Sequence, residues 1–489
     1  MKRTILAFFV CTFFHCAAFA QQSDEYTSKT EKYFETIRNN ESLLNTFFHS
    51  MPKGGDLHHH FSGAVYAETF FDTAVDHHFL LDTSALVVYP PGSSIGGIRS
   101  IVPFDSMRAG KRAYFKDRLV RLWSVKDFSL CDGASDAHFF NTFGLFGPTI
   151  GGSEASMLQE IKQRANAEHT DYIETMFIRP SMPPGDPAVA QFFSEYNSVL
   201  EAENLSRDAA SAKQTMEAMF LRLRAELGAD SLAKIHHTRL VGIRDAARFS
   251  DNRDSLITIR FLNYVTRVST PADIFSQLYL SFASCDMDSL VIGVNIVAPE
   301  NANVSMNDYW LHMQMFKFFR SKFPYVHTSM HAGELVLGMV KPEELTWHIA
   351  SAVHDGGAER IGHGVDIAYE HDNYELLREM ARRHIAAEIN LTSNEFILNE
   401  KNSAHPISLY AKFGVPIVIS TDDPGVLRSD HTGEFVKLAM RYPQFTYKDI
   451  KRFVYNSIEF SFLKSKDKNQ LKYKLDMEFE TFESMIAGL

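Results

Sequence analysis

From about residue 155 onward, short apolar runs alternate with stretches of helical period, and this rhythm limits the fold more than any other feature of the chain. Strand-like runs cover Asp171–Phe177, Leu256–Val265, Leu290–Val297, Tyr325–Met330, Arg360–His363, Ile385–Leu391 and Ile417–Ser420. Helical spacing covers Met157–His169, Asn197–Leu227, Asp273–Ala283, Asp308–Phe323, Glu343–His354, Tyr374–His384 and Pro406–Phe413. Glu434–Met440 and Tyr447–Phe462 read as closing helices, and one earlier strand lies around Gly55–His58. Strands separated by helices pair in parallel through crossovers. Eight of them predict an α/β fold of the (β/α)8 TIM-barrel type. An open doubly wound sheet is disfavoured, because no GxGxxG or Walker-type loop follows any strand.

The stretch about 61–155 lacks this rhythm and reads as a long insertion after the first strand. Its aromatic segment, from Trp123 through Phe128, His138, Phe139, Phe140 and Phe143 to Phe146, reads as a packed helical lid or core, with lining of a pocket mouth left open. Residues 1–20 read as a signal peptide: Lys2 and Arg3, an apolar run over Ile5–Phe14, and Ala18-Phe19-Ala20 before Gln21. That run is too short to span a bilayer, and no later one is long enough, so the expectation is a secreted or periplasmic protein without a membrane anchor. Residues 21–50 form a helical leader whose apolar stripe (Tyr33, Phe34, Ile37, Leu43, Leu44, Phe47, Phe48) must bury against the main body, 51–489, or a second subunit. Cys131 and Cys285 remain after signal removal, as one disulfide or two thiols. With 49 basic against 60 acidic residues the net charge is -11, which argues against nucleic acid or an anionic membrane as partner. A small neutral substrate stays open.

Barrel enzymes carry their chemistry at the C-terminal ends of the strands, and the polar clusters of this chain fall there. His58 and His60 follow the first strand; as i and i+2 on extended backbone they share one side, with His59 on the other. His331-Ala-Gly-Glu334 follows the fifth strand, Gly362-His363-Gly364 the sixth, and Thr421-Asp422-Asp423-Pro424 the eighth. Each alone has a plain structural reading as a tight loop, cap or hydrogen-bonded residue. Four on one rim point to a shared site. His58, His60, His331 and Asp422 suit zinc or a similar divalent ion, one per chain, with a coordination position left for water. Glu334, His363 and Asp423 then supply the base, acid and orienting acceptor that hydrolytic attack requires.

The segments MPKGGDLHHHFSGA, MHAGE, RIGHG and STDDP, in that order, resemble the adenosine deaminase family, from Met51 to about Leu463. The signal peptide, leader, MPKGG opening and insertion are similar to its secreted, growth-factor-like branch. The resemblance implies that His58, His60, His331 and Asp422 bind zinc and that Glu334 protonates purine N1. It implies that His363 orients and deprotonates the attacking water, and that Asp423 hydrogen-bonds that water and the substrate. The product would be inosine plus ammonia from adenosine, with deoxyadenosine as a further substrate. Ser62 and Ala298 fall at substrate-binding positions, but the family has an acidic residue and a glycine there. Asn295 stands where an aspartate is usual. A homodimer is implied by resemblance alone. Two other readings stay open: an aminohydrolase for another purine or modified nucleoside, and a non-catalytic extracellular binding protein on the same scaffold.

Overall fold

Strand β1 (Gly54–His60) carries three consecutive histidines and is buried along almost its whole length. The computed structural model describes residues 24–96 and 100–489. The signal peptide expected over 1–20 lies outside the described residues, as do the first positions of the leader. After β1 the insertion contributes a small antiparallel sheet of β2 (Leu80–Asp82), β3 (Val87–Tyr89) and β4 (Ile101–Pro103), ordered β3-β2-β4. Seven further strands follow: β5 (Thr170–Met176), β6 (Thr258–Thr266), β7 (Val291–Val297), β8 (His327–Ala332), β9 (Arg360–His363), β10 (Ala386–Ile389) and β11 (Ile417–Ile419). With β1 they form one sheet in the order β1-β5-β6-β7-β8-β9-β10-β11, every neighbouring pair parallel. The sheet closes just beyond β11, where Asp422 N–H donates to the His58 carbonyl (2.8 Å) and His60 N–H to the Asp422 carbonyl (2.9 Å). This is the (β/α)8 barrel expected from the alternation, and all eight strand assignments hold to within a few residues.

Several local expectations are corrected. The single helix expected over Asn197–Leu227 is parts of two, Pro187–Ser206 and Ala209–Ala225, before a third at Ala229–Ala246. Arg207 turns left-handed (φ 51°), and the Asp208 carboxylate caps the next helix by accepting from Ala210 and Ser211 N–H. The helix expected over Glu343–His354 is a succession of short turns, 3-10 at Pro342–Thr346, α at His348–Ser351 and π at Ala352–Gly356. The Glu370 carboxylate takes the N–H groups of Ile349 (2.6 Å) and Ala350 (3.1 Å), so a distant side chain starts the middle turn. The strand expected over Ile385–Leu391 is shorter, and Leu391–Leu398 is helical. A long C-terminal helix, Ser465–Ala487, was not foreseen.

The leader folds back on its own chain. Helices over 24–37 and Glu41–Ser50 bury Phe34, Leu44, Phe47 and Phe48. The Phe47 ring meets Tyr447 (centroids 5.9 Å) and Phe482 of the C-terminal helix (5.0 Å), and Phe48 meets Phe435 (5.8 Å). Most of the apolar stripe is therefore buried within one chain, while Leu43 stays exposed. Cys131 is exposed and Cys285 buried, and neither forms a disulfide. Among the described residues no helix is long and apolar enough to cross a membrane.

Candidate metal centre and the cavity above it

The i, i+2 spacing on β1 does what extended backbone requires. His59 turns outward to Thr175 Oγ1 (2.9 Å), while His58 and His60 face the barrel mouth. His331 ends β8, and Asp422 lies just past β11 at a left-handed φ of 63°. His60 Nε2 is 3.1 Å from His331 Nε2 and 3.2 Å from Asp422 Oδ1; His58 Nε2 is 3.5 Å from the same oxygen. One ligand atom from each of the four residues lies within 4.8 Å of all the others. His58 Nε2 and Asp422 Oδ1 are buried without a hydrogen-bond partner, which a protein tolerates where a cation takes the lone pairs. The donor set thus fits a divalent ion of the zinc type.

Residues behind the cluster fix its ring orientations. His58 Nδ1 donates to Glu388 Oε2 (2.7 Å) and His331 Nδ1 to Asn295 Oδ1 (2.9 Å); both acceptors lack a proton to give, so each ring in its neutral form leaves Nε2 bare for a cation. Asn295 thereby does through its amide oxygen what an aspartate would do there. Glu388 is held in turn by Arg360 Nε (2.5 Å) and Ser329 Oγ (2.9 Å), and Arg360 Nη2 reaches Glu174 (2.6 Å). Gly362 has no room for a side chain, since a Cβ would stand 2.6 Å from His58 Cε1.

Glu334, His363 and Asp423 meet beside this cluster, with His363 Nε2 3.7 Å from Glu334 Oε1. Glu300 positions Glu334 by accepting its backbone N–H (2.9 Å), that of Gly333 (3.2 Å), and the Nδ1–H of His348 (2.6 Å). Burial pushes Glu300 up, but Arg267 and His348 prevail and hold it at about 2. Arg267 also donates to the His331 carbonyl (2.6 Å), tying acid and ligand to one buried pair. Glu334 itself is driven well above the usual carboxylate range by burial, then by the charges of Asp422 and Glu300. Asp423 is raised by burial and by Asp422, and its Oδ1 has no partner.

His363, at φ 68°, belongs to a chain of hydrogen bonds that sets its tautomer. Ile407 N–H donates to His405 Nδ1 (3.2 Å), so His405 Nε2–H donates to Asn394 Oδ1 (3.0 Å). Asn394 Nδ2 then donates to His363 Nδ1 (2.9 Å), and the neutral ring carries its proton on Nε2, facing the cavity. Burial and the neighbouring imidazoles lower His363 to about 3, so the ring is neutral at physiological pH. An Asn394→Asp substitution replaces the donor by an acceptor and is expected to move the His363 proton to Nδ1. Nitrogen NMR of the ring reads that shift directly, and turnover should fall about 10–100-fold, the usual cost of losing such an orienting partner. An unchanged tautomer would contradict the network.

A cavity of about 440 Å³ opens over these groups. Its lining includes Ser62, Ala298, Glu334, His363, Asp422 and Asp423, so every sequence-predicted site residue lines it except His58, which joins the metal cluster from beneath and is fully buried. Ala298 adopts φ 86°, where glycine is at ease and an L side chain is strained by roughly 1–2 kcal/mol. Glu388, Arg360, Glu300, Arg267, Asn394 and His405 had no role assigned from the sequence. For Glu388 the signal is an ionisable residue inside the apolar run Ala386–Ile389.

The adenosine deaminase family model matches residues 200–478. Curated adenosine deaminases are 32% identical: that of Escherichia coli (strain SMS-3-5 / SECEC) over 150 residues, 30% of this chain and 41% of that protein, and that of Clostridium kluyveri over 182 residues, 37% and 48%. The chain thus matches less than half the length of these relatives. Solved structures share the fold at low identity. Adenine deaminase from Arthrobacter aurescens has TM-score 0.54 at 14% identity, covering 87% of this chain and 98% of that one. An N6-methyl-AMP deaminase from Arabidopsis thaliana has TM-score 0.54 at 17%, covering 88% and 98%. An amidohydrolase from Burkholderia ambifaria with bound Zn has TM-score 0.52 at 19%, covering 91% and 95%. His58 and His60 precede the family match, and barrel closure sets them against His331 and Asp422 inside it. By a match over more than half of its length, the chain belongs to the adenosine deaminase family.

Proposed function

We propose that this chain hydrolyses the 6-amino group of a purine nucleoside, converting adenosine to inosine and ammonia, with one zinc ion held by His58, His60, His331 and Asp422. The observation that carries this is the convergence of three imidazole nitrogens and one carboxylate oxygen beside the buried Glu334, whose pKa burial pushes well above the usual carboxylate range. Zinc on those ligands would supply Lewis acidity to a water. Glu334 is placed to give its proton to purine N1, which makes C6 electrophilic. His363 Nε2–H orients the incoming oxygen; with its proton on that nitrogen the ring is not the base that the resemblance implied. The unpartnered Asp423 Oδ1 hydrogen-bonds the attacking water and the amino group. Water oxygen adds at C6 and the C6–N bond breaks; N1 keeps the proton given by Glu334, one water hydrogen leaves in ammonia and the other returns to Glu334. The phenyl groups over the cavity exclude bulk water.

A second reading, an aminohydrolase for another purine or modified nucleoside, is favoured by Ser62 and Ala298, which differ from the family pattern where the substrate binds. A non-catalytic binding protein is the third, and the complete set of ligands and acid weighs against it. We also propose export, to the cell exterior or periplasm, and membership of the growth-factor-like branch, supported by the signal-like residues 1–20 and the leader. A homodimer rests on resemblance. Ammonia release across a purine panel, with metal content measured on the same sample, tests the central reading. Adenosine turnover with about one zinc per chain, both lost in His331→Ala, is the expected result; zinc-loaded protein that converts no purine defeats it.

A further inference from the structure

If the reacting carbon lies beside Glu334 and Asp423, as the proposed function requires, the far end of the substrate faces the cavity roof. That roof is the helix Ser135–Phe146, whose Phe139, Phe140, Phe143 and Phe146 all line the cavity, with Ile150 beyond it. Phe140 and Phe143 are only half-buried, so their open faces are the ones a ligand meets. Among the described residues lining the cavity there is no lysine or arginine. Two of the polar groups that line the cavity, Thr266 and Tyr264, are already engaged. Thr266 Oγ1 accepts from Arg179 Nη1 (2.8 Å) and meets Ser269 Oγ (3.1 Å). The Tyr264 hydroxyl faces the Arg179 backbone N–H, and the exposed Arg179 guanidinium is held on Thr266 outside the lining. The Ala298 methyl adds apolar surface where a glycine would have left backbone.

We infer that this chain prefers 6-aminopurine nucleosides whose group at the far end of the sugar is uncharged and apolar, as in a 5′-deoxy or 5′-alkylthio nucleoside, and that Phe140 and Phe143 read that group. A hydroxyl pressed against phenyl rings without a partner loses its hydration for nothing, and a phosphate without a cation loses far more. Apolar pockets discriminate modestly among uncharged groups, about 10–200-fold, whereas unpaired charge is rejected strongly.

The test uses the zinc-loaded full chain and compares kcat/KM for adenosine, 5′-deoxyadenosine, 5′-methylthioadenosine and AMP. Calorimetric affinities for inosine, 5′-deoxyinosine and IMP give a readout independent of turnover. The two apolar-ended nucleosides should exceed adenosine about tenfold and AMP should fall at least about 100-fold below it, with the products in the same order. Phe140→Ser and Phe143→Ser should each cut the 5′-methylthioadenosine-to-adenosine ratio about fivefold or more. AMP or IMP at parity with the nucleosides, or adenosine best by a similar margin, overturns the inference, and the wild-type panel decides even if a variant fails to fold. Turnover with a flat profile defeats this inference alone; no turnover and no product binding defeats the deaminase reading with it.

Discussion

Glu334→Gln is expected to keep its metal and lose turnover by about 10²–10⁴-fold, the usual contribution of a positioned proton donor. Glu334 lies outside the four-ligand set, so zinc content should match wild type. The glutamine preserves size and can still donate a hydrogen bond through its amide, but it has no proton to transfer. Glu300 holds the Glu334 backbone whatever the side chain, so the loop should not move. The wild-type carboxyl is buried and surrounded by the negative charge of Asp422 and Glu300, which pushes its pKa well above the ordinary carboxylate value. Its ability to donate is therefore lost only as pH rises well beyond the ordinary carboxylate range, and the wild-type rate should fall on the alkaline side for this group. Product affinity should change little, because the deleted interaction is made in the transition state. Turnover within tenfold of wild type, or loss of zinc, would remove Glu334 from the proton donor's role.

The strands of the barrel and the ligands on their ends were legible in the sequence for one reason. A parallel strand covered on both faces is a continuous apolar run, and a polar cluster ending such a run is conspicuous, as with Ile417–Ile419 before Asp422. Three-residue strands such as Leu80–Asp82 are too short to show any period, so the insertion's sheet stayed hidden. The break at Arg207 was invisible because Asp208 decides it by which N–H groups its carboxylate caps, a choice that composition does not record. The supports behind the ligands were hidden for a different reason. Glu174, Arg360 and Glu388 lie on three separate strands, and nothing local in any of them says which other charge it meets. Likewise the relay from His405 through Asn394 to His363 exists only once the helix Leu391–Leu398 is built, and no helix was expected there, the strand being read through Leu391.

Arg360→Met should destabilise the fold by about 3–5 kcal/mol, the cost of breaking a buried ion pair from one side. Arg360 is 1% exposed, lies between Glu174 and Glu388, donates to the Phe460 carbonyl (2.9 Å) and stacks on Phe462 (3.7 Å to the ring centroid). Methionine fills much of the volume but leaves two carboxylates buried without a cation. Burial alone would raise Glu388, yet the Arg360 charge and the hydrogen bond from His58 depress it to about 2, below its ordinary value of 4.5. A carboxylate depressed by folding stabilises the native state above its unfolded pKa, and that contribution disappears as pH falls from 4.5 toward 2. The deficit of the variant, read from urea midpoints, should therefore be full at neutral pH and shrink on acidification. Because Glu388 also orients His58, zinc affinity should drop about 10–100-fold in the same variant. An equally stable variant, or a deficit that ignores acid, would show that the triad does not anchor the metal site to the barrel.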